Sequence, residues 1–171
     1  NAILMITTEK ENIWLENTSQ EIAFNHLNYT SLNRNVMAIS EDEIKLINTP
    51  TYKPEESSEI LNAVVQLNPD NSINVDAKFR FSGAQYDFQM PLTTLNKDEV
   101  KEALKERFYY LNMENLEANN VTNNRDEALI NYEVKLQAKN YSKKLGNDII
   151  LRVMPFLDLM QMTSQEDRKL P

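Results

Sequence analysis

His26 is the only imidazole in 171 residues, and the chain has no cysteine. Together these counts remove thiolate nucleophiles, disulfides, thiolate zinc sites and chelating histidine pairs. His26 lies in Asn25-His26-Leu27-Asn28 with no Ser, Asp or Cys at motif spacing. It therefore reads as a loop or packing histidine, because acid–base catalysis needs partners that this spacing does not announce. Two glycines in the whole chain also leave no material for a P-loop or a dinucleotide-binding turn.

Carboxylates are the remaining source of chemistry. Asp70, Ser72, Asn74 and Asp76 recur at every second position, a faint likeness to a calcium loop. An EF-hand needs Gly where Val75 stands and Glu where Phe81 stands, so the spacing reads as the outer face of a strand. Glu41-Asp42-Glu43, Glu55-Glu56 and Asp126-Glu127 offer paired acids for glycoside hydrolysis. All fall in expected turns or a linker, where charge is solvated and no carboxyl is desolvated enough to become a general acid. Acceptor tripeptides for N-glycosylation begin at Asn17, Asn28, Asn120 and Asn140, as chance provides in so Asn-rich a chain. No cofactor and no metal is expected.

Aromatic residues give the binding candidates. Trp14 with Tyr29 and Tyr52, or the pair Tyr109-Tyr110, would form a sugar-stacking platform. Consecutive helical residues lie about 100° apart, so Tyr109 and Tyr110 cannot both face a core, and one is expected at a surface. For Trp14, core packing is the simpler expectation.

The charge balance constrains partners. Lys and Arg number 18 against 26 Asp and Glu, a net charge of −8. That field repels nucleic-acid phosphates and anionic membranes, and no basic stripe offsets it. No apolar run approaches the roughly twenty residues of a membrane span. The start, Asn-Ala-Ile-Leu-Met-Ile, lacks a signal peptide's basic region and an initiator Met. Asn1-Ala2 reads as a cloning remnant, so the leader of a secreted parent would lie upstream.

The elements that must position these residues divide near Pro50–Pro54. Before it, Ile3–Thr8 with Ile13–Glu16, and Val36–Ile39 with Ile44–Ile47, read as short hairpins around an ordered loop, 21–34. Thr49–Ser58, with two prolines, reads as a linker. Beyond it, Glu59–Leu67 and the strictly alternating Ile73–Ser82 read as strands, the second half-buried. Gln85–Met90 is a short helix broken by Pro91, and Lys97–Leu111 a longer one opened by Asn96 and Glu99. Asn115–Val121, Ala128–Lys139 and Asp148–Met154 complete the strands, and the tail carries Leu157, Leu159, Met160 and Met162. The expected fold is α+β: a curved antiparallel sheet with one main helix packed on it, preceded by short hairpins. The expected division is 1–50 and 51–171.

The segment Ile13-Trp14-Leu15-Glu16-Asn17-Thr18 resembles the strand-to-turn segment near the end of the papain-like transglutaminase core, where Trp, an apolar residue, Asp, Pro and Thr are usual. The order that follows is similar to the large transglutaminase-like proteins common in Bacteroides-type bacteria. It runs through an Asn-Arg pair near Arg34, a hairpin over Val36–Ile47, Thr49-Pro50, and two alternating strands closed by Gly83. Arg168-Lys169-Leu170-Pro171 resembles their late Arg-x-x-Pro. The resemblance implies a Cys, His and acid triad of which only the acid's position falls in this chain. Glu16 stands there in place of Asp, and Asn17 in place of Pro.

What the resemblance implies is the tail of a transglutaminase-like core over 1–50 and a non-catalytic accessory α+β domain over 51–171, in a periplasmic or cell-envelope protein. Its partner would be the upstream catalytic domain of the same polypeptide, with protein or glycan as a further ligand. An independent secreted binding module is the alternative, and a carboxylate hydrolase the third reading. The accessory reading expects exposed apolar surface over Ile3–Ile47. A binding module expects a concave aromatic site, and a hydrolase two carboxyls across a cleft.

Overall fold

The computed structural model describes residues 2–17 and 19–156. Its centre is the alternating strand anticipated from the sequence. β6 (Ile73–Ser82) buries Ile73, Val75, Ala77, Phe79 and Phe81 on one face and exposes Asn74, Asp76, Lys78 and Arg80 on the other. β5 (Glu59–Leu67) pairs with one side of it, and β8 (Leu129–Ala138) with the other, both antiparallel. β7 (Met113–Asn124) completes a four-stranded sheet in the order β5-β6-β8-β7.

Register sets the core. Phe79 lies opposite Tyr132 and Phe81 opposite Ile130, so the buried sets of β6 and β8 share one face. The Phe79 and Tyr132 rings stack at 4.8 Å, within the range where aromatic pairs add to simple burial. Val100 and Leu104 of α2 (Lys97–Arg107), together with Phe108 and Leu111 beyond it, join that core. Phe156 meets Phe79 and Phe108 edge-on at 5.1 and 4.9 Å. The expected α+β layer, one sheet under one main helix, is the observed architecture.

α2 starts where its cap dictates. Asn96 Oδ1 accepts the N–H groups of Asp98 and Glu99, and Glu99 Oε2 accepts that of Asn96, so three otherwise unpaired donors are satisfied. It stops at Arg107, four residues before the expected Leu111. Phe108 leaves helical geometry (φ −105°, ψ 32°), and a tight turn then carries Phe108 and Leu111 into the core and leads to β7. α1 (Ala84–Gln89) is the expected short helix; the chain continues through Pro91 as 3₁₀ turns over Met90–Thr94.

Among the described residues, three two-stranded sheets stand apart from the main one. β1 (Leu4–Thr7) pairs with β2 (Asn12–Leu15), and β3 (Asn35–Ile39) with β4 (Ile44–Asn48), as anticipated. The third corrects the sequence reading. The strand expected over Asp148–Met154 ends at Leu151 and pairs not with the main sheet but with β9 (Ser142–Leu145), which alternation did not reveal. β9 carries Lys143 and Lys144 in the middle of four residues, so it lacks an apolar period. The tail residues Leu157, Leu159, Met160 and Met162 and the segment Arg168–Pro171 lie outside the described residues.

Candidate functional site

The stretch 21–34 is an ordered loop, as expected, with one 3₁₀ turn over Tyr29–Ser31, and it buries Ile22, Ala23, His26 and Leu27. His26 has the partners that its sequence neighbourhood lacks. Nε2 lies 2.7 Å from Oδ1 of Asp87 on α1, and Nδ1 lies 2.7 Å from the hydroxyl of Tyr52. The second Asp87 oxygen accepts the Tyr29 N–H at 2.7 Å, and the Tyr52 oxygen accepts the Leu27 N–H at 3.1 Å. Asp87, acceptor only when ionised, makes Nε2 a donor. The Tyr86 ring closes the site, edge-on to His26 at 4.9 Å.

This Tyr–His–Asp chain has the connectivity of a nucleophile relay but not its accessibility. His26 is 3% exposed, and burial pushes the Tyr52 hydroxyl up to about 12, with the Asp87, Glu56 and Glu16 carboxylates adding to the rise. A nucleophile needs the opposite shift and an open face. The arrangement instead ties loop 21–34 and the 49–58 segment to α1. Further bonds extend the tie: Phe24 N–H to the Arg125 carbonyl at 3.1 Å, and the Tyr86 hydroxyl 2.9 Å from Asn123 Oδ1. The segment expected to be a linker is itself anchored, with Thr49 buried and its hydroxyl donating to the Ser31 carbonyl at 2.7 Å.

The carboxylate candidates stay where turns put them. Glu43 pairs with Lys45 at the β3–β4 tip, Glu56 Oε2 accepts the Lys53 N–H, and Glu127 accepts from Asn124. Asp70 accepts the N–H and hydroxyl of Ser72, which hold its carboxyl below the usual range; Ser72 is buried in that turn rather than on a strand face. Asp76 lies on the polar face of β6, 3.4 Å from Lys135. Among the described residues no group of three or more His, Asp or Glu gathers as a metal site would require.

Of the residues singled out from sequence, Trp14 is buried on β2 and its backbone N–H donates to Asn25 Oδ1. Glu16 Oε2 accepts the Asn28 N–H at 3.1 Å, pinning the same loop. Tyr109 is 74% exposed with its ring 5.7 Å from Tyr110, over which the Arg152 guanidinium lies at 5.2 Å. Neither of the two grooves that Trp14 lines includes Tyr109 or Tyr110.

In the N-terminal segment Leu4, Ile6 and Phe24 are exposed, and the most exposed apolar face is that of the β3–β4 hairpin. Met37 lies opposite Leu46 and Ile39 opposite Ile44, so all four share one face, and each is about two-thirds or more exposed. Val36, Ala38 and Ile47 lie on the other face, and a groove of about 680 Å³ is lined by them, by Met37 and Ile39, and by Ile3, Leu4, Met5 and Trp14. A strand apolar on both faces is the pattern of a strand buried on both sides, yet here one side meets solvent. No family model, curated protein or solved structure matches this chain. No helix among the described residues is long and apolar enough to cross a membrane.

Proposed function

We propose that this chain is a non-catalytic interaction domain that packs through the outer face of β3–β4 on a neighbouring domain of the same polypeptide, at the cell envelope. The observation that carries it is the exposed quartet Met37, Ile39, Ile44 and Leu46 on a two-stranded hairpin. Such a hairpin is marginal by itself, and covering a large apolar side chain completely contributes about 1.5–3 kcal/mol. The resemblance over Ile13–Thr18 implies that residues 1–50 are the tail of a transglutaminase-like core and that the neighbour is the upstream part of that core. In that reading Glu16 stands at the acid position of the family's triad, while the nucleophile and base belong to the neighbour. The buried tie of His26, Asp87 and Tyr52 then serves as a rigid mount, holding the hairpin-bearing segment on the α+β layer.

The test is Leu46→Lys, made both in this chain and in the longer polypeptide. At an exposed position the isolated chain should change by no more than about 0.5 kcal/mol. In the longer polypeptide, where the residue is covered, unfolding stability should fall by at least about 2 kcal/mol. Equal effects in both contexts would refute the reading.

A second reading rests on Tyr109, whose exposed ring meets Tyr110 edge-on beside Arg152. This is a stacking surface for a glycan or an aromatic peptide side chain. Loss of glycan binding on Tyr109→Ala would support it, and an unchanged titration would remove it.

A further inference from the structure

β5 is an edge strand, and its free side can be worked out from hydrogen bonds at its ends. Ser58 and Ser82 exchange both N–H···O bonds, at 3.2 and 2.9 Å, and Asn68 N–H bonds the Ser72 carbonyl at the far end. Bonded pairs alternate along an antiparallel ladder, so Ile60, Asn62, Val64 and Gln66 face β6 with their backbone groups. The N–H and C=O groups of Glu59, Leu61, Ala63, Val65 and Leu67 therefore point away from the sheet.

Natural edges are blunted with Pro, Lys, bulges or inward charges. The opposite edge, β7, has such devices: two register breaks, a positive φ at Asn120, and Glu114 and Glu117 along it. β5 has none. Its nine residues hold an unbroken register with β6, contain no Pro, Gly or Lys, and carry one charge, Glu59, at the end. Val64 is 73% exposed, and Ile60, Val65 and Leu67 are each more than a third exposed.

We propose that β5 is a dimerisation edge, on which a second copy of the chain pairs its own β5 antiparallel about a twofold axis at Ala63. The strand's own sequence accommodates that occupant, because its one charge lies at the end and no like charges are opposed. In this register Glu59 faces Leu67 of the second copy, Leu61 faces Val65, Asn62 faces Val64, and Ile60 faces Gln66. The only acid never meets itself, and the smallest side chain sits on the axis. The contact is isologous and closes at two copies, because each pairing uses up the β5 edge of the four-stranded sheet. The net charge of −8 per chain opposes association only weakly at this distance from other groups, since salt screens beyond about 8 Å. This surface is separate from the β3–β4 face, and the proposal stands or falls independently of the reading given to that hairpin.

Sedimentation velocity on the 171-residue chain from about 1 to 200 µM should show the mass double with concentration, as a strand-edge contact of modest affinity requires. Ala63→Lys and Ala63→Glu, at an exposed position, should each stay monomeric by placing like charges on the axis, and an equimolar mixture of the two should restore the dimer. Ala63→Pro should also be monomeric while keeping the wild-type circular dichroism, because the N–H it removes faces away from β6. A wild-type chain that stays monomeric, a dimer that Ala63→Lys leaves intact, or a mixture that fails to pair would each overturn the proposal. An intact Ala63→Lys dimer would place self-association elsewhere on the molecule.

Discussion

Nε2 of His26 lies 2.7 Å from Oδ1 of Asp87, sixty-one residues further along the chain, and both side chains are buried. This contact joins two parts of the chain that composition separates, a hairpin-bearing segment and an α+β layer. Asp87 also accepts the Tyr29 N–H, so one carboxylate satisfies a ring donor and a backbone donor together. Buried polar groups of this kind cost little when all are paired and much when one partner is lost.

Asp87→Ala strands the His26 and Tyr29 donors and should destabilise the protein by about 2–4 kcal/mol. Trp14 is the only tryptophan, and its side chain is buried while its backbone N–H is held by Asn25 of the His26 loop, so its fluorescence reports the N-terminal segment. In urea, the Trp14 transition of the variant should precede the loss of sheet signal in circular dichroism. A change below about 0.5 kcal/mol would mean that the pair contributes no more than a surface contact.

Tyr52 sets an alkaline limit. Burial raises its hydroxyl to about 12 in the folded chain, against about 10 when unfolded, so the folded state keeps a proton that the unfolded state gives up. Its contribution is complete below pH 10 and disappears as pH rises toward 12. Tyr86, Tyr132 and Tyr141 are raised for the same reason and act in the same direction. Stability measured by urea titration should fall across this window, and Tyr52→Phe should make the fall shallower. An identical slope in the variant would contradict this assignment.

Gly83 ends β6 at φ +57°, and a Cβ there would lie 2.5 Å from the Glu56 carbonyl oxygen and 2.6 Å from Ser57 Cα. Both obstacles are backbone. Gly83→Ala combines an unfavourable backbone conformation with overpacking, and a loss of about 2–4 kcal/mol is expected in equilibrium unfolding.

Asn96→Ala removes the acceptor for two N–H groups at the start of α2 and should cost about 1 kcal/mol, whereas Asn96→Asp should be nearly neutral. A thermal melt distinguishes the two.

What was legible in the sequence is what local physics controls. The period-2 alternation of Ile73–Ser82 and of the strand from Ala128 named the buried faces of β6 and β8 correctly, because each has one wet face. Asn96 and Glu99 announced the start of α2, but its end depended on Phe108 and Leu111 being drawn into the core through a turn rather than a further helical turn. β9 was invisible because a solvated two-stranded hairpin needs no apolar period. The partners of His26 were equally hidden: Asp87 and Tyr52 reach it from other elements, and a contact made by tertiary packing leaves no spacing to read. The one available signal was an Asp at position 87 inside the apolar-leaning Gln85–Met90 helix, where an unpaired carboxylate would be costly.

The claim on which the functional account rests is that Met37, Ile39, Ile44 and Leu46 are covered by a neighbouring domain. Hydrogen exchange over residues 35–48, compared between this chain and the longer polypeptide, measures that directly. The account predicts rapid exchange in the isolated chain and slowing of at least about tenfold in the longer one, the mark of a hairpin no longer opening freely. Equal exchange in the two would contradict it.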